Sequence, residues 1–287
     1  MEVKLFKWSG AGNLFVIADG RDADVEALRI PASISRICAQ YATDGLMILN
    51  RAKQQGSDFD MEFYNPDGSG GMMCGNGGRC IVAFADMLGV PASKTDSYSF
   101  TAPDGLHEAA ILERPSNPAS PQKGERWTVR LHMIDVEAPK RVLGGLFLDT
   151  GTRHFVKFVE DVEAIDIERE ALPIRRHPEF APEGTNVNFV QVLPDGSLKL
   201  RTFEKGVEGE TAACGTGITA SALVAYHAGL VSGTPTLENA AVSGGLTAPA
   251  GSICIHLHAR RDSLTVDFRP AASAFTDVYL TGPAELL

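Results

Sequence analysis

Two segments of the chain, Cys74-Gly75-Asn76-Gly77 and Cys214-Gly215-Thr216-Gly217, repeat one arrangement: a cysteine and two spaced glycines ahead of a long apolar run. The cysteines lie 140 positions apart, and the same offset relates Phe63 to Phe203, Gly89 to Gly229 and Phe15-Val16 to Phe155-Val156. An offset close to half of the 287 residues, kept without a gap, describes two halves of one fold rather than a tandem of short repeats. The chain is therefore expected to form two similar lobes. If the lobes face each other, each presents one thiol to a shared cleft, which suits a reaction that needs two acid/base groups on opposite sides of one atom.

With 44% hydrophobic and 22% charged residues the chain can bury a full core. A net charge of −10 gives no basic footprint, so neither nucleic acid nor a membrane surface is expected as a partner. The N-terminus, Met1-Glu2-Val3-Lys4-Leu5-Phe6-Lys7, carries charges where a signal peptide needs an apolar stretch, and no apolar run is long enough to span a bilayer. A cytoplasmic location is the resulting expectation. The five cysteines, an odd number scattered at 38, 74, 80, 214 and 254, do not form a dense disulfide framework, and reduced thiols are expected. The spacing from Cys74 to Cys80 is not that of a zinc or redox Cys-X-X-Cys pair, so no metal is expected.

Short strand-like pieces, Leu5 to Phe6, Phe15 to Ala18, Leu46 to Leu49, Met61 to Tyr64 and Trp127 to Met133, recur between Gly, Asp, Asn and Pro. The clearest helices follow the cysteine motifs, over 77–88 and 217–228, each closed by a glycine suited to a left-handed position, Gly89 and Gly229. Both are apolar nearly all round, as Ile81, Val82, Ala83 and Phe84 and Ala222, Leu223, Val224 and Ala225 illustrate, and such a helix belongs inside, wrapped by sheet. The expected class is α+β, with two pseudo-symmetric lobes, each a curved, mostly antiparallel sheet around a central helix. The stretch 114–125, with prolines at 115, 118 and 121, is the best candidate boundary, or else a long surface loop. It divides the chain into a first lobe, 1–118, and a second, 119–287; a return of the last few residues to the first lobe is kept open.

A cysteine at a helix start has a definite chemistry. The first backbone N–H groups of a helix have no internal partner and point out of its N-terminal end, where the macrodipole also favours negative charge. Free cysteine titrates near pH ~8.5, and a helix N-terminus or nearby cation brings it to roughly 3.5–7.5. The same N–H groups, uncovered by glycine, can grip a carboxylate. Two such starts could hold an α-carboxylate while two sulfurs flank the carbon beside it. Cys80 has no counterpart, because position 220 is Ala, and Cys80, Cys38 and Cys254 read as packed residues.

In its ordered motifs the chain resembles the diaminopimelate epimerases, cofactor-independent two-thiol amino-acid epimerases. The resemblance runs through Ser9-Gly10-Ala11-Gly12-Asn13, Asp44-Gly45, Phe63-Tyr64-Asn65-Pro66-Asp67-Gly68-Ser69, Met73-Cys74-Gly75-Asn76-Gly77-Gly78-Arg79-Cys80, Gly184-Thr185-Asn186-Val187, Arg201-Thr202-Phe203-Glu204-Lys205-Gly206-Val207 and Glu210-Thr211-Ala212-Ala213-Cys214-Gly215-Thr216-Gly217. It covers nearly the whole chain. It implies an isomerase of lysine and peptidoglycan precursor biosynthesis that interconverts LL- and meso-diaminopimelate, with Cys74 and Cys214 as the acid/base thiols and no pyridoxal phosphate or other cofactor. By the same resemblance Asn13, Asn65 and Asn186 hold the ammonium and carboxylate ends of the substrate. Gly75 with Asn76, and Gly215 with Thr216, form the two anion grips, Glu204 and His154 tune the thiols, and Glu204 also contacts the substrate.

Four places depart from the family pattern. Leu14 stands where the pattern has an acid, Thr152 where it has an amide that contacts the distal end of the substrate, and Lys205 where it has an arginine. A lysine offers a point charge instead of a planar fork, so the two are not equivalent at a bidentate site. The chain also stops shortly after Gly282-Pro283-Ala284, ahead of the final strand expected from relatives. The implied chemistry is a two-base epimerisation, in which one thiolate removes the α-proton and the opposite thiol delivers another. The developing carbanion is stabilised by fixed N–H dipoles away from water. Asp67-Gly68-Ser69-Gly70-Gly71 is read either as a flexible cover or as a plain surface turn. Two alternatives stay open: a racemase of another amino acid in the same superfamily, and a non-catalytic amino-acid-binding or thiol redox protein. A homodimer is compatible with the sequence.

Overall fold

The computed structural model of the protein describes residues 3–71, 73–235, 249 and 251–287; Met1 and Glu2 of the charged N-terminus lie outside them. The described residues form two compact units, one of 3–131 with Gly282–Leu287 and one of 132–235, 249 and 251–281.

The first unit begins with a hairpin of β1 (Leu5–Gly10) and β2 (Asn13–Asp19). Its turn is Ala11-Gly12, both at positive φ (54° and 98°), the geometry that matches the twist of two-residue hairpins and that places glycine at the second position. Helix α1 (Pro31–Tyr41) then crosses to β3 (Gly45–Arg51), parallel to β2, and β3 turns back into the antiparallel β4 (Phe59–Tyr64). Helix α2 (Gly75–Met87) leads to β5 (Ser97–Ala102), parallel to β4, and β6 (Gly105–Glu113) and β7 (Trp127–His132) continue antiparallel. The sheet wraps α2, which packs on β1, β2, β3 and β6 and is buried at every residue except Asp86. Phe84 meets Phe6 and Trp8 at ring separations of 5.2 and 6.1 Å, and Trp8 meets Trp127 at 5.3 Å.

The second unit follows the same plan. After the short strands β8 (Val136–Glu137) and β9 (Lys140–Val142), a hairpin of β10 (Gly145–Asp149) and β11 (Arg153–Phe158) leads through α3 (Ile167–Arg175) to a parallel strand, β12 (Asn186–Val192). Strand β13 (Leu198–Glu204) pairs antiparallel with β12 and with the short β14 (Gly209–Thr211). Helix α4 (Gly215–His227) and β15 (Thr234–Pro235) then lead to β16 (Ile253–His258), parallel to β13, followed by the antiparallel β17 (Ser263–Pro270) and β18 (Ala274–Leu286). The repeat is visible in the pairing itself. Met47 faces Phe63 in the first unit and Val187 faces Phe203 in the second, 140 positions on at both partners.

Three expectations need adjustment. The two central helices begin at Gly75 and Gly215 rather than at 77 and 217, because each cysteine has extended backbone (φ −97° and −122°) and itself occupies the N-cap. The glycines thus fill the first helical turn; Gly89 and Gly229 follow the ends with φ of 64° and 69°, as expected. The segment 114–125 is a loop, and the compact units part between Leu131 and His132 instead of at 118/119. The reason is local: β7 pairs with β6, Trp127 Nε1 donates to Asp86 Oδ2 at 2.8 Å, and Arg114 is held by Asp86 and Asp96 at 3.0 and 2.8 Å. Finally, residues 274–286 are themselves a strand, whose end returns to the first unit with Trp8 opposite Leu286 and Ser9 opposite Glu285. Helices α1 and α3 were not among the sequence expectations; α3 is capped by Asp166, which accepts from Arg169 N at 3.3 Å.

The returning strand predicts a truncation effect. Deleting Gly282–Leu287 removes the pairing to β1, the fully buried Ala284 and the Arg126–Glu285 ion pair at 3.1 Å. At roughly 1 kcal/mol per hydrogen bond, the loss of at least two bonds plus apolar burial should lower unfolding free energy by more than ~2 kcal/mol, read from urea denaturation.

Candidate active site

Each cysteine motif forms a helix start whose close approach to the sheet depends on glycine. In the first unit, a Cβ added to Gly10 would lie 2.5 Å from the Asn76 carbonyl oxygen and 2.9 Å from Cys80 Sγ, so β1 and the first turn of α2 touch backbone to backbone. Cys74 O accepts the first helical bond, from Gly78 N at 2.7 Å. Asn76, fully buried in that turn, donates through Nδ2 to Asn13 Oδ1 and accepts at Oδ1 from Arg79 Nη2 at 2.9 Å. Asn13 in turn donates to Asp44 Oδ2 at 3.2 Å, and Asp44 also receives Leu14 N at 2.8 Å. The guanidinium of Arg79, fully buried, further donates to Gly75 O at 3.3 Å and Pro283 O at 3.5 Å. A carboxylate, two amides and a guanidinium thus fix the side chains around the start of α2, while Cys74 itself is half-buried.

Asn65 is not part of that chain. It sits in the turn after β4, where its Nδ2 donates to Ser69 Oγ at 3.0 Å and its backbone N to Ser69 O at 2.9 Å. Asp67 accepts from both Ser69 N and Ser69 Oγ, at 2.8 and 2.6 Å, so these residues form a turn closed by its own side chains.

The second unit carries a different network at the equivalent helix start. Cys214, buried, lies 3.4 Å through Sγ from Thr216 Oγ1. Thr216 Oγ1, Thr152 Oγ1 and His154 Nε2 form a triangle with all three sides at 2.9 Å. The other ring nitrogen, Nδ1, is 3.1 Å from Asn188 Nδ2. His154 is fully buried, and burial pushes its pKa down from the ordinary 6.5 to about 3. It is therefore neutral at physiological pH and meets its neighbours as a hydrogen-bonding imidazole. Thr152 is bound into the same triangle. Asn186 Nδ2 donates to Arg153 O at 3.0 Å, while its Oδ1 accepts from the backbone N of Lys205 at 2.8 Å. Lys205 has an exposed side chain, and Glu204, half-buried, closes β13.

Residues not anticipated from sequence hold these parts in place. Asn188 and Thr202 are fully or nearly fully buried and bonded to each other, Thr202 Oγ1 to Asn188 Oδ1 at 2.9 Å. Arg201 clasps Glu210 through two bonds, at 2.8 and 2.7 Å, tying β13 to the strand that runs into Cys214. The available signal for Asn188 was its place two residues after Asn186 on one strand, hence on the same face, in an otherwise apolar run. Cys80 is fully buried, and its desolvated thiol is pushed well up from its ordinary pKa, as the packing role requires. Among the described residues no helix is long and apolar enough to cross a membrane.

The described residues thus form two similar α+β units, each with a cysteine at the head of its central helix, and comparison with known proteins bears on the family they define. The family model described as "Diaminopimelate epimerase" matches residues 5–124 and 146–267, and the chain belongs to that family. It is 38% identical over 246 residues to the diaminopimelate epimerase of Aquifex aeolicus, covering 81% of this chain and 85% of the relative. It is 34% identical over 288 residues to that of Flavobacterium psychrophilum, covering 99% and 98%. Among solved structures, a phenazine biosynthesis protein of the PhzF family from Bacillus anthracis shares the fold with a TM-score of 0.69 at 12% identity, covering 100% of this chain and 98% of that one. A hydroxyproline epimerase from Agrobacterium vitis gives 0.58 at 15% identity, covering 100% and 91%.

The buried imidazole generates a prediction about pH. Because the folded pKa of His154 lies below that of an exposed histidine, the unfolded chain binds the extra proton first, and stability falls as pH drops from about 6.5 towards 3. Between pH 7 and 5 the wild type should lose ~2 kcal/mol more unfolding free energy than His154→Gln, at about 1.4 kcal/mol per pH unit below the unfolded pKa. Parallel urea titrations of both proteins at the two pH values measure the difference.

Proposed function

We propose that this protein is a diaminopimelate epimerase that interconverts the LL and meso forms through Cys74 and Cys214, without a cofactor, in the cytoplasmic supply of lysine and peptidoglycan precursors. The observation that carries the reading is the pair of matching helix starts, each with a cysteine at the N-cap and glycines in the first turn. Family membership over almost the entire chain supports the substrate.

In this mechanism one sulfur is a thiolate and the other a thiol in each productive complex. The thiolate removes the proton from the α-carbon, the thiol delivers its proton to the opposite face, and the reverse reaction exchanges the roles. The carbanion that forms needs charge stabilisation through its α-carboxylate, which the outward N–H groups of the first turns of α2 and α4 can supply. On the side of Cys74, Asn13 and Asn76 are held by Asp44 and Arg79, so their remaining hydrogen-bonding capacity is oriented in advance. Asn65, Asn186 and Glu204 are proposed to bind the polar ends of the substrate, and Lys205 to meet the distal carboxylate.

Replacement of either Cys74 or Cys214 by Ala should abolish epimerisation while leaving the circular-dichroism spectrum and melting transition in place, because one sulfur cannot take a proton from one face and deliver another to the opposite face in the same turnover. Near-normal turnover by either variant contradicts the two-base scheme. Cys80→Ala should instead keep its chemistry and lose stability by about 1 kcal/mol through a small cavity. For Lys205→Met, binding of diaminopimelate should weaken by about 1.5–3 kcal/mol, the worth of a hydrogen bond to a charged group. Exchange of the α-proton in an amino acid without a distal carboxylate should change little. Equal loss for both substrates would place Lys205 in the catalytic electrostatics, and an unchanged KM for both would remove it from the site.

A further inference from the structure

The neutral ring of His154 has a defined tautomer, and the structure says which. Asn188 Nδ2 lies 3.1 Å from the backbone carbonyl of Phe155, a group that can only accept. That contact fixes the orientation of the Asn188 amide, since the flipped arrangement would set two oxygens against each other. The other amide oxygen bond agrees, because Thr202 Oγ1 donates to Asn188 Oδ1 at 2.9 Å. The second hydrogen of Asn188 Nδ2 therefore points at His154 Nδ1, 3.1 Å away, which must accept it. A neutral imidazole that accepts at Nδ1 carries its proton on Nε2.

The consequence reaches Cys214. With Nε2 a donor, neither Thr152 nor Thr216 can direct its hydroxyl proton at the ring, although both oxygens are 2.9 Å from it. Thr216 Oγ1 can then accept within the triangle, and its own proton has two acceptors in reach, Thr152 Oγ1 at 2.9 Å and Cys214 Sγ at 3.4 Å, of which an ionised sulfur is the stronger. The helix accommodates this arrangement by a glycine: a Cβ on Gly217 would lie 2.5 Å from Asn188 Oδ1 and 3.1 Å from His154 Cε1. The first half carries other residue types at the matching positions. At the 140-residue offset the partners of His154 and Asn188 are Leu14 and Ile48, and the equivalent glycine, Gly77, faces Met47 and Phe63.

We infer that Asn188 is a positioning residue for Cys214: by accepting from Thr202 and donating to His154 Nδ1 it holds the imidazole as the Nε2–H tautomer, so that the Thr216 hydroxyl donates to the Cys214 sulfur and stabilises its thiolate. The inference rests on the reading of Cys214 as an acid/base thiol, and deepens it by making the two thiols chemically unequal in the resting protein. The relayed hydroxyl proton reaches Cys214 from Thr216, whereas the network at the start of α2 joins Asp44, Asn13, Asn76 and Arg79.

Two measurements without substrate test it, so that their failure is distinct from a failure of the epimerase assignment. In a long-range proton–nitrogen correlation spectrum of the wild-type protein labelled at histidine, with His154→Gln to assign its signals, His154 should show the Nε2–H tautomer at pH 7. The Nδ1–H tautomer, or a charged ring, overturns the proposal. The second measurement is the pH dependence of iodoacetamide alkylation, followed separately at the Cys214 and Cys74 peptides by mass spectrometry. Thr216→Val should raise the Cys214 midpoint by about one to two pH units, the equivalent of one hydrogen bond to a charged group, and leave that of Cys74 in place. Asn188→Asp, which would accept from Nδ1–H and reverse the tautomer, should raise it as well. Thr216→Ser, which keeps the hydroxyl, should restore the wild-type midpoint. If Thr216→Val and Thr216→Ser alkylate alike at Cys214, or if Cys74 shifts in step with Cys214, there is no relay. Should Asn188→Asp fail to fold, the Val and Ser pair and the wild-type spectrum still decide the matter.

Discussion

The structure of each unit follows from one constraint, the burial of an entire helix together with its polar N-terminal end. A helix apolar on all sides satisfies its interior N–H groups internally but leaves those of its first turn pointing outward. In both α2 and α4 a strand also approaches that end more closely than a side chain would permit: Gly10 lies against the Asn76 carbonyl, and Gly217 against Asn188 and His154. The result is a set of aligned donors in a largely buried setting with a sulfur at the N-cap. A helix end that favours negative charge and a sulfur placed at it are therefore consequences of the same packing.

The two halves of the chain meet that constraint with different chemistry. In the first, Asp44, Asn13, Asn76 and Arg79 form a chain of amides ended by opposite charges, so the start of α2 is held by strong charge-assisted bonds. In the second, the chain is neutral throughout, from Thr202 through Asn188 and His154 to Thr216. An epimerisation run in both directions asks each thiol to be base in one and acid in the other. It does not ask that the two reach that state by the same means, and the duplicated scaffold carries an unequal pair.

Much of the architecture was legible because duplication leaves an offset that is independent of residue type. The positions 15/155, 63/203 and 89/229 needed no propensity argument, and the register of β3 with β4 and of β12 with β13 repeats them residue for residue. The helix ends were legible at Gly89 and Gly229, where backbone geometry demands glycine. The starts were displaced by two residues, since the low helix propensity of glycine hides the first turn that Gly75 and Gly215 open. The unit boundary was misplaced for a similar reason: proline density marked 114–125 as a break, but Arg114 and Trp127 anchor both of its ends to Asp86. Of the candidate site, the cysteines and the residues beside them were readable from motif and resemblance. Asn188 and Thr202 were not, because a polar residue inside an apolar strand announces burial only once its partner on another strand is known. His154 was singled out by resemblance, but its neutral state was not legible, since sequence carries no measure of desolvation.

The central claim is that two separate thiols act on one α-carbon, and hydrogen-isotope incorporation tests it most directly. With unlabelled LL-diaminopimelate as substrate in deuterated water, the account predicts that the meso product formed at early times carries deuterium at the inverted α-carbon, because its hydrogen comes from the solvent-equilibrated second thiol. The LL substrate recovered at those times should still carry protium, because the proton taken by the first thiol stays on that sulfur and returns with it. Deuterium entering recovered substrate and product at equal early rates would mean a single exchanging base serving both faces, and would contradict the account.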